Sequence, residues 1–197
     1  MTSNKYLRLV PLRLGLSVFL AWAIFLGFTH KAIADEWHVD KSRSKLGFTI
    51  STPSAPIDGF FEDFDASITF DPDDLAQSMI DIIIHTSTLR LENTQHQSMA
   101  LSKEWLDTLG FPTAHFKSTS IGKTDNGAFI ATGFVTIKKM RHPIEIQFSV
   151  VFQDAYAHAK GTANLLRSNF GIGSAENTNI PVADAFVVNF GIHANKG

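Results

Sequence analysis

The residue whose chemistry stands out is Arg167. It closes the stretch Ala163-Asn164-Leu165-Leu166-Arg167-Ser168-Asn169-Phe170-Gly171-Ile172-Gly173, in which Ala163, Leu165 and Arg167 share one parity of an extended strand. If the small and apolar members of that parity face a core, the arginine faces it too. A guanidinium keeps its charge in a protein, so an inward one needs an electronegative partner. Three partners fit the sequence. One is the head group of a ligand. Another is an internal carboxylate, with Asp40 of Trp37-His38-Val39-Asp40 as the candidate. The third is water, if the strand ends at Leu166.

Other reactive side chains lack the spacing that chemistry requires. Beyond residue 34 the histidines are His38, His85, His96, His115, His142, His158 and His193. None pair as His-x-His or His-x-x-x-His, and they read as surface or strand-edge residues rather than metal ligands. Asp71-Pro72-Asp73-Asp74 resembles the opening of a calcium loop. Ala76 stands where that loop needs glycine, and Ile82 where it needs glutamate. Gly171-Ile172-Gly173-Ser174 lacks the third glycine of a dinucleotide fingerprint. Glu62 and Asp63 are sequence neighbours and so project to opposite sides of a strand. The chain has no cysteine, hence no thiolate nucleophile and no disulfide. These observations predict no catalytic site, no metal site and no cofactor.

The chain has 197 residues. Its start has the three parts of a secretory leader: basic Lys5, Arg8 and Arg13, the uncharged run Leu14–Phe28, and Ala32-Ile33-Ala34 before Asp35. The run is shorter than the roughly 20 residues that span a bilayer. Residues 1–34 therefore read as a signal peptide cleaved between Ala34 and Asp35, and residues 35–197 as one periplasmic or secreted domain. The leader holds four of the 17 basic residues and none of the 19 acidic ones. That leaves 13 basic against 19 acidic residues in the mature domain, a formal charge of −6. Such a surface disfavours nucleic acid as a partner.

Positioning falls to strands. Alternating apolar sets recur at Leu46, Phe48, Ile50; Phe64, Ala66, Ile68, Phe70; Ile80, Ile82, Ile84; Ile144 to Phe152; Ala157 to Leu165; and Phe186 to Ile192, with weaker segments around 114–121 and 128–137. Each is apolar on one face only. Asp125-Asn126-Gly127 is a hairpin signal. Residues 93–109 break the alternation, and Met99, Leu101, Trp105, Leu106 and Leu109 predict one or two short helices. About eight half-wet strands close into a sandwich or a barrel. Ala157, Ala159, Gly161 and Ala163 opposite many phenylalanines fit either an unfilled lumen or size-complementary packing.

Six ordered motifs add a resemblance. They are Trp37-His38-Val39-Asp40; Ser44-Lys45-Leu46-Gly47-Phe48-Thr49-Ile50; Gly59-Phe60-Phe61-Glu62-Asp63-Phe64; the run from Trp105 to Ser118; Gly133-Phe134-Val135-Thr136-Ile137-Lys138 with His142-Pro143-Ile144; and Arg167-Ser168-Asn169-Phe170-Gly171-Ile172. In this order the chain resembles the YceI-like family of exported lipocalin-like proteins. It departs from the family pattern at Arg43, Thr52, Lys139 and Asn169. The resemblance implies an all-β, eight-stranded antiparallel lipocalin-like barrel whose apolar lumen binds a polyisoprenoid or similar lipid.

On that basis the expected lumen lining is Leu46, Phe48, Ile50, Phe64, Ile68, Ile82, Phe116, Val135, Ile137, Ile146, Phe148, Leu165, Phe186 and Phe190. Phe170 is expected near the mouth, and Arg167 is a candidate head-group contact. The expected function is a non-enzymatic carrier or sequestering protein for a polyisoprenoid or isoprenoid quinone. The alternatives are a ligand-free barrel that partners a membrane redox protein, and an enzyme on a barrel scaffold.

Overall fold

The computed structural model describes residues 35–173 and 181–197, so the expected leader, residues 1–34, lies outside the described residues. Eleven strand segments and one α-helix follow along them. The strands are β1 (Glu36–Val39), β2 (Lys45–Ile50), β3 (Ile57–Phe61), β4 (Phe64–Thr69), β5 (Met79–His85) and β6 (Leu89–Leu91). After helix α1 (Thr94–Leu101) come β7 (Thr113–Lys123), β8 (Phe129–Ile137), β9 (Met140–Gln153), β10 (Tyr156–Leu166) and β11 (Ala185–Lys196).

All pairings are antiparallel, and β1 pairs with β11 to close the ring. Eleven segments make eight staves. Both β1 and β2 lie against β11, as halves of one broken strand. Next to them β4 pairs with β1 and β3 with β2, and beyond those β5 pairs with β4 and β6 with β3. The unbroken staves β7 to β11 complete an eight-stranded antiparallel barrel, with β7 next to β5. The ring β1-β4-β5-β7-β8-β9-β10-β11 closes on itself, and the β2-β3-β6 arm beside it ends on β6, whose outer edge pairs with no described strand.

The period-two pattern sets which side chains face in. Along β8, Phe129, Ala131, Gly133, Val135 and Ile137 are buried, and the residues between them are half-exposed. Hairpin turns sit where the sequence permits left-handed backbone. Gly127 has φ +84°, and Gly127 N–H donates to the Thr124 carbonyl at 2.9 Å. Asp154, a residue type that tolerates this region, has φ +53° in the two-residue turn from β9 to β10.

Residues 93–109 hold one helix rather than two. Asn93 caps it by accepting hydrogen bonds from the Gln95 and His96 amides at 2.9 and 3.0 Å. It ends at Leu101, with Ser102 as its C-cap. Turns follow, and Asp107 at φ +49° prevents a second helix. Leu109, read as part of a helical apolar face, is 99% exposed at the tip of this segment.

Two clusters form the core. One joins Trp37, Phe70, Phe116, Phe129 and Phe148. Phe70 meets Phe129 edge-on at 5.1 Å, Phe129 stacks on Phe148 at 5.5 Å, and the Trp37 indole donates to the Phe70 carbonyl at 3.0 Å. The other cluster lies toward the opposite ends of the same strands and joins Trp105, Val135, Ile137, Leu165, Phe170 and Ile172.

Candidate functional site

A cavity of about 280 Å³ runs through the barrel. The inward rows of every stave contribute to it, because each strand turns one apolar parity toward the axis. Fourteen expected lining residues border it: Leu46, Phe48 and Ile50 from β2; Phe64 and Ile68 from β4; Ile82 from β5; Phe116 from β7; Val135 and Ile137 from β8; Ile146 and Phe148 from β9; Leu165 from β10; Phe186 and Phe190 from β11. The helical segment adds Met99, Trp105 and Leu106. Their near-helical spacing was visible in the sequence, but not that the segment covers the lumen.

Phe170 does not line the cavity. It is 1% exposed in a 3-10 turn over Arg167–Phe170 and meets His142 edge-on at 5.1 Å. Beyond the end of β10 the turn buries it in the cluster with Trp105, Val135, Leu165 and Ile172.

The small-residue strip on β10 divides. Ala157, Ala159 and Ala163 border the cavity. At Gly161 the space is already filled. A Cβ there would lie 2.5 Å from the Phe190 ring and 2.4 Å from the Gln147 carbonyl. Lumen and size-complementary packing therefore alternate along one strand.

Few polar groups border the cavity. The hydroxyl of Thr86 donates to the Phe111 carbonyl at 2.8 Å. His96 contributes from α1, and Arg167 from the end of β10. Among the described residues Arg167 is held by backbone carbonyls and not by the expected Asp40. Its Nε donates to the Ala183 carbonyl at 2.9 Å. Nη1 donates to Ile172 at 2.6 Å and Gly173 at 2.8 Å, and Nη2 donates to Val182 at 3.1 Å. Four carbonyl dipoles thus hold the charge, and the Trp105 ring lies 5.5 Å from it.

Asp40, the carboxylate expected to pair with it, lines a separate polar groove together with Arg43, His158 and His193. The Ser42 hydroxyl donates to Asp40 at 2.6 Å and holds its carboxyl below the usual carboxylate range. Nearer Arg167, Asp184 accepts from the Ser168 amide at 2.8 Å and from its hydroxyl at 2.7 Å. A guanidinium directed at loop carbonyls leaves no sequence spacing to detect it.

The remaining titratable clusters lie outside this lining. Lys41 bridges Asp63 and Asp65 at 2.9 and 2.8 Å, and His85 reaches Asp65 at 3.0 Å. Asp81 meets His115 at 2.6 Å and Lys117 at 3.2 Å. What the cavity itself offers is apolar contact, and the guanidinium that borders it is engaged by backbone.

Known proteins share this architecture. The model of the YceI-like domain matches residues 37–194. Protein YceI of Escherichia coli O6:H1 is 26% identical over 137 residues, covering 68% of this chain and 71% of that protein. The crystal structure of BcnA from Burkholderia cenocepacia superposes with a TM-score of 0.75 at 28% identity, covering 80% of this chain and 99% of BcnA. A polyisoprenoid binding domain from Saccharophagus degradans shares the fold, with a TM-score of 0.64 at 10% identity over 84% of this chain and 99% of that domain. With a family match over most of its length and a closed eight-stranded barrel, the chain belongs to the YceI-like family.

Proposed function

We propose that the protein is an exported, non-enzymatic carrier that holds one isoprenoid chain, a polyisoprenoid or an isoprenoid quinone, inside its barrel. The carrying observation is the apolar lining contributed by every stave. Transfer of such a chain from water gains about 0.8 kcal/mol per buried CH₂. The related domain from Saccharophagus degradans, a polyisoprenoid binder, supports the choice of ligand class.

The lining also bears on the head group. A fatty-acid carboxylate held inside would need a cationic partner. Arg167 already directs donors to four carbonyls, and His96 is the other ionisable side chain bordering the cavity among the described residues. A ligand with a neutral head group, or with its head outside the barrel, fits this lining better.

Native mass spectrometry of protein purified from its own membrane extract tests the reading. The expected result is a bound mass that tandem fragmentation identifies as an isoprenoid. Recovery of fatty acids alone would overturn the ligand class, and recovery of a ligand-free chain would favour the barrel that acts through protein contact. Export is tested by N-terminal sequencing of the extracytoplasmic form, which should begin at Asp35. Retention of Met1 in the membrane fraction would sink the soluble-carrier reading.

A further inference from the structure

Two histidines that are 35 residues apart in the chain meet on the outside of the barrel. His158 on β10 and His193 on β11 are register partners. Their rings stack with centroids 3.9 Å apart and planes 9° from parallel, and both side chains are half-buried. They border a polar groove of about 370 Å³, lined also by Asp40, Arg43, Gln153 and Tyr156. The two histidines take the parity opposite to the lumen-lining Ala159 and Ile192, and the groove meets the lumen's lining at Ala157 and Ala194.

We infer that the His158–His193 pair is a chelating site for a divalent late transition-metal ion, Cu²⁺ or Zn²⁺. Metal–imidazole bonds are about 2.0–2.1 Å long, which places two nitrogens on one ion about 3–3.4 Å apart. As stacked, the two rings present their lone pairs side by side, so chelation requires both rings to rotate out of the stack until a nitrogen of each faces the same point; as directly opposed register partners their Cβ atoms are close enough, about 4.5–5.5 Å, for that rotation to bring them onto one ion. Adjacent staves hold the two backbones, so the pair is preorganised rather than assembled from a loop. Imidazole suits copper and zinc, and copper binds more tightly in the general affinity order.

A ligand nitrogen must be unprotonated to bind metal. Arg43 opposes a cation in the groove, and ionised Asp40 offsets it. Water completes the coordination in the space the groove leaves.

The test uses protein without a polyhistidine tag, titrated with CuSO₄ and ZnCl₂ near pH 7. One equivalent should bind. His158→Gln and His193→Gln should each weaken binding at least tenfold, and the double variant should bind little worse than either single one. His85→Gln should leave binding unchanged, since the Asp63–Asp65–His85 group already holds Lys41. Electron paramagnetic resonance of the Cu²⁺-loaded unmodified protein should show two imidazole nitrogens on one copper, a readout that does not depend on any variant folding. Unchanged affinity in either pair variant, loss of binding in His85→Gln, or a single-nitrogen spectrum would each overturn the assignment.

Discussion

Arg167 joins three stretches of chain through one side chain. Its donors reach carbonyls at 172–173 and 182–183, while its own amide donates to the Asp184 carbonyl at 2.8 Å. Those loop carbonyls have no strand ladder to serve, and leaving them unpaired when buried is costly. Arg167→Gln should therefore lower stability by about 2–4 kcal/mol, read from urea unfolding of ligand-free protein. Arg167→Lys should recover less than half of that, because an ammonium lacks the planar fork that reaches several carbonyls at once. If unfolding is unchanged while lipid retention falls, the arginine is a head-group contact instead. A second residue-scale effect is acid sensitivity at Asp81. Burial raises its pKa, but hydrogen bonds from His115 and Lys117 outweigh that and hold it below the ordinary value. A depressed carboxylate adds stability above its unfolded pKa, near 4, and loses it as pH falls through the lower folded value. Asp81→Asn should cost less than about 1 kcal/mol at pH 7 for this partly exposed group. The difference from the parent should vanish in acid, as measured by urea midpoints from pH 7 to pH 2.

Three staves are broken, and the breaks lie side by side. The first falls between β1 and β2, the second between β3 and β4, and the third between β5 and β6. Lys41 from the first, Asp63 and Asp65 around the second and His85 at the edge of the third form one polar cluster over them. Register shifts let a sheet bend, and here side chains cover the distorted backbone. Within the unbroken staves, glycine marks close approach on β10. Gly161→Ala forces a Cβ to 2.4 Å from the Gln147 carbonyl, and backbone cannot yield cheaply there. Differential denaturation should show a loss of about 1–3 kcal/mol. Gly122 on β7 has nothing within 4 Å of its built Cβ and no left-handed φ. The same change there should be neutral or stabilising by up to about 1 kcal/mol, through the unfolded chain. Equal effects at both sites would mean that Phe190 and β9 shift freely around the β10 strip.

At the scale of the whole barrel, capacity follows from the free cross-section of the lumen. Ala159 borders the cavity, and its register partners Ile192 and Val150 border it as well. Ala159→Phe should fill this space with apolar atoms and introduce no charge. Lipid recovered from membrane extract should fall at least tenfold, while the ligand-free melting temperature holds or rises as the cavity fills. Lys160→Gln, on the opposite parity of the same strand, should leave retention intact. Full retention in Ala159→Phe would place the ligand elsewhere on the molecule.

Alternation by itself determined the strands and their inward faces, because a side-chain period of two decides which residues can hide from water, while the choice of a barrel with a lumen over a packed sandwich came from the family resemblance. The proposed leader rests on a linear pattern of charge, apolar run and small residues, a kind of signal that does not depend on any fold. Fourteen of the expected lining residues border the cavity because their strands keep that parity from end to end. Phe170 lies beyond the strand in a 3-10 turn, where alternation no longer assigns a face, and Leu109 lies in turns beyond the helix end at Leu101, past the left-handed Asp107. Other features arise only from closure. The carbonyl cage around Arg167 depends on where two loop segments run, and the His158–His193 stack on which strands become neighbours. Whether the β10 strip opens or fills is set residue by residue by the rings across from it. Contacts between residues far apart in sequence belong to strand register and loop path, which local periodicity does not encode.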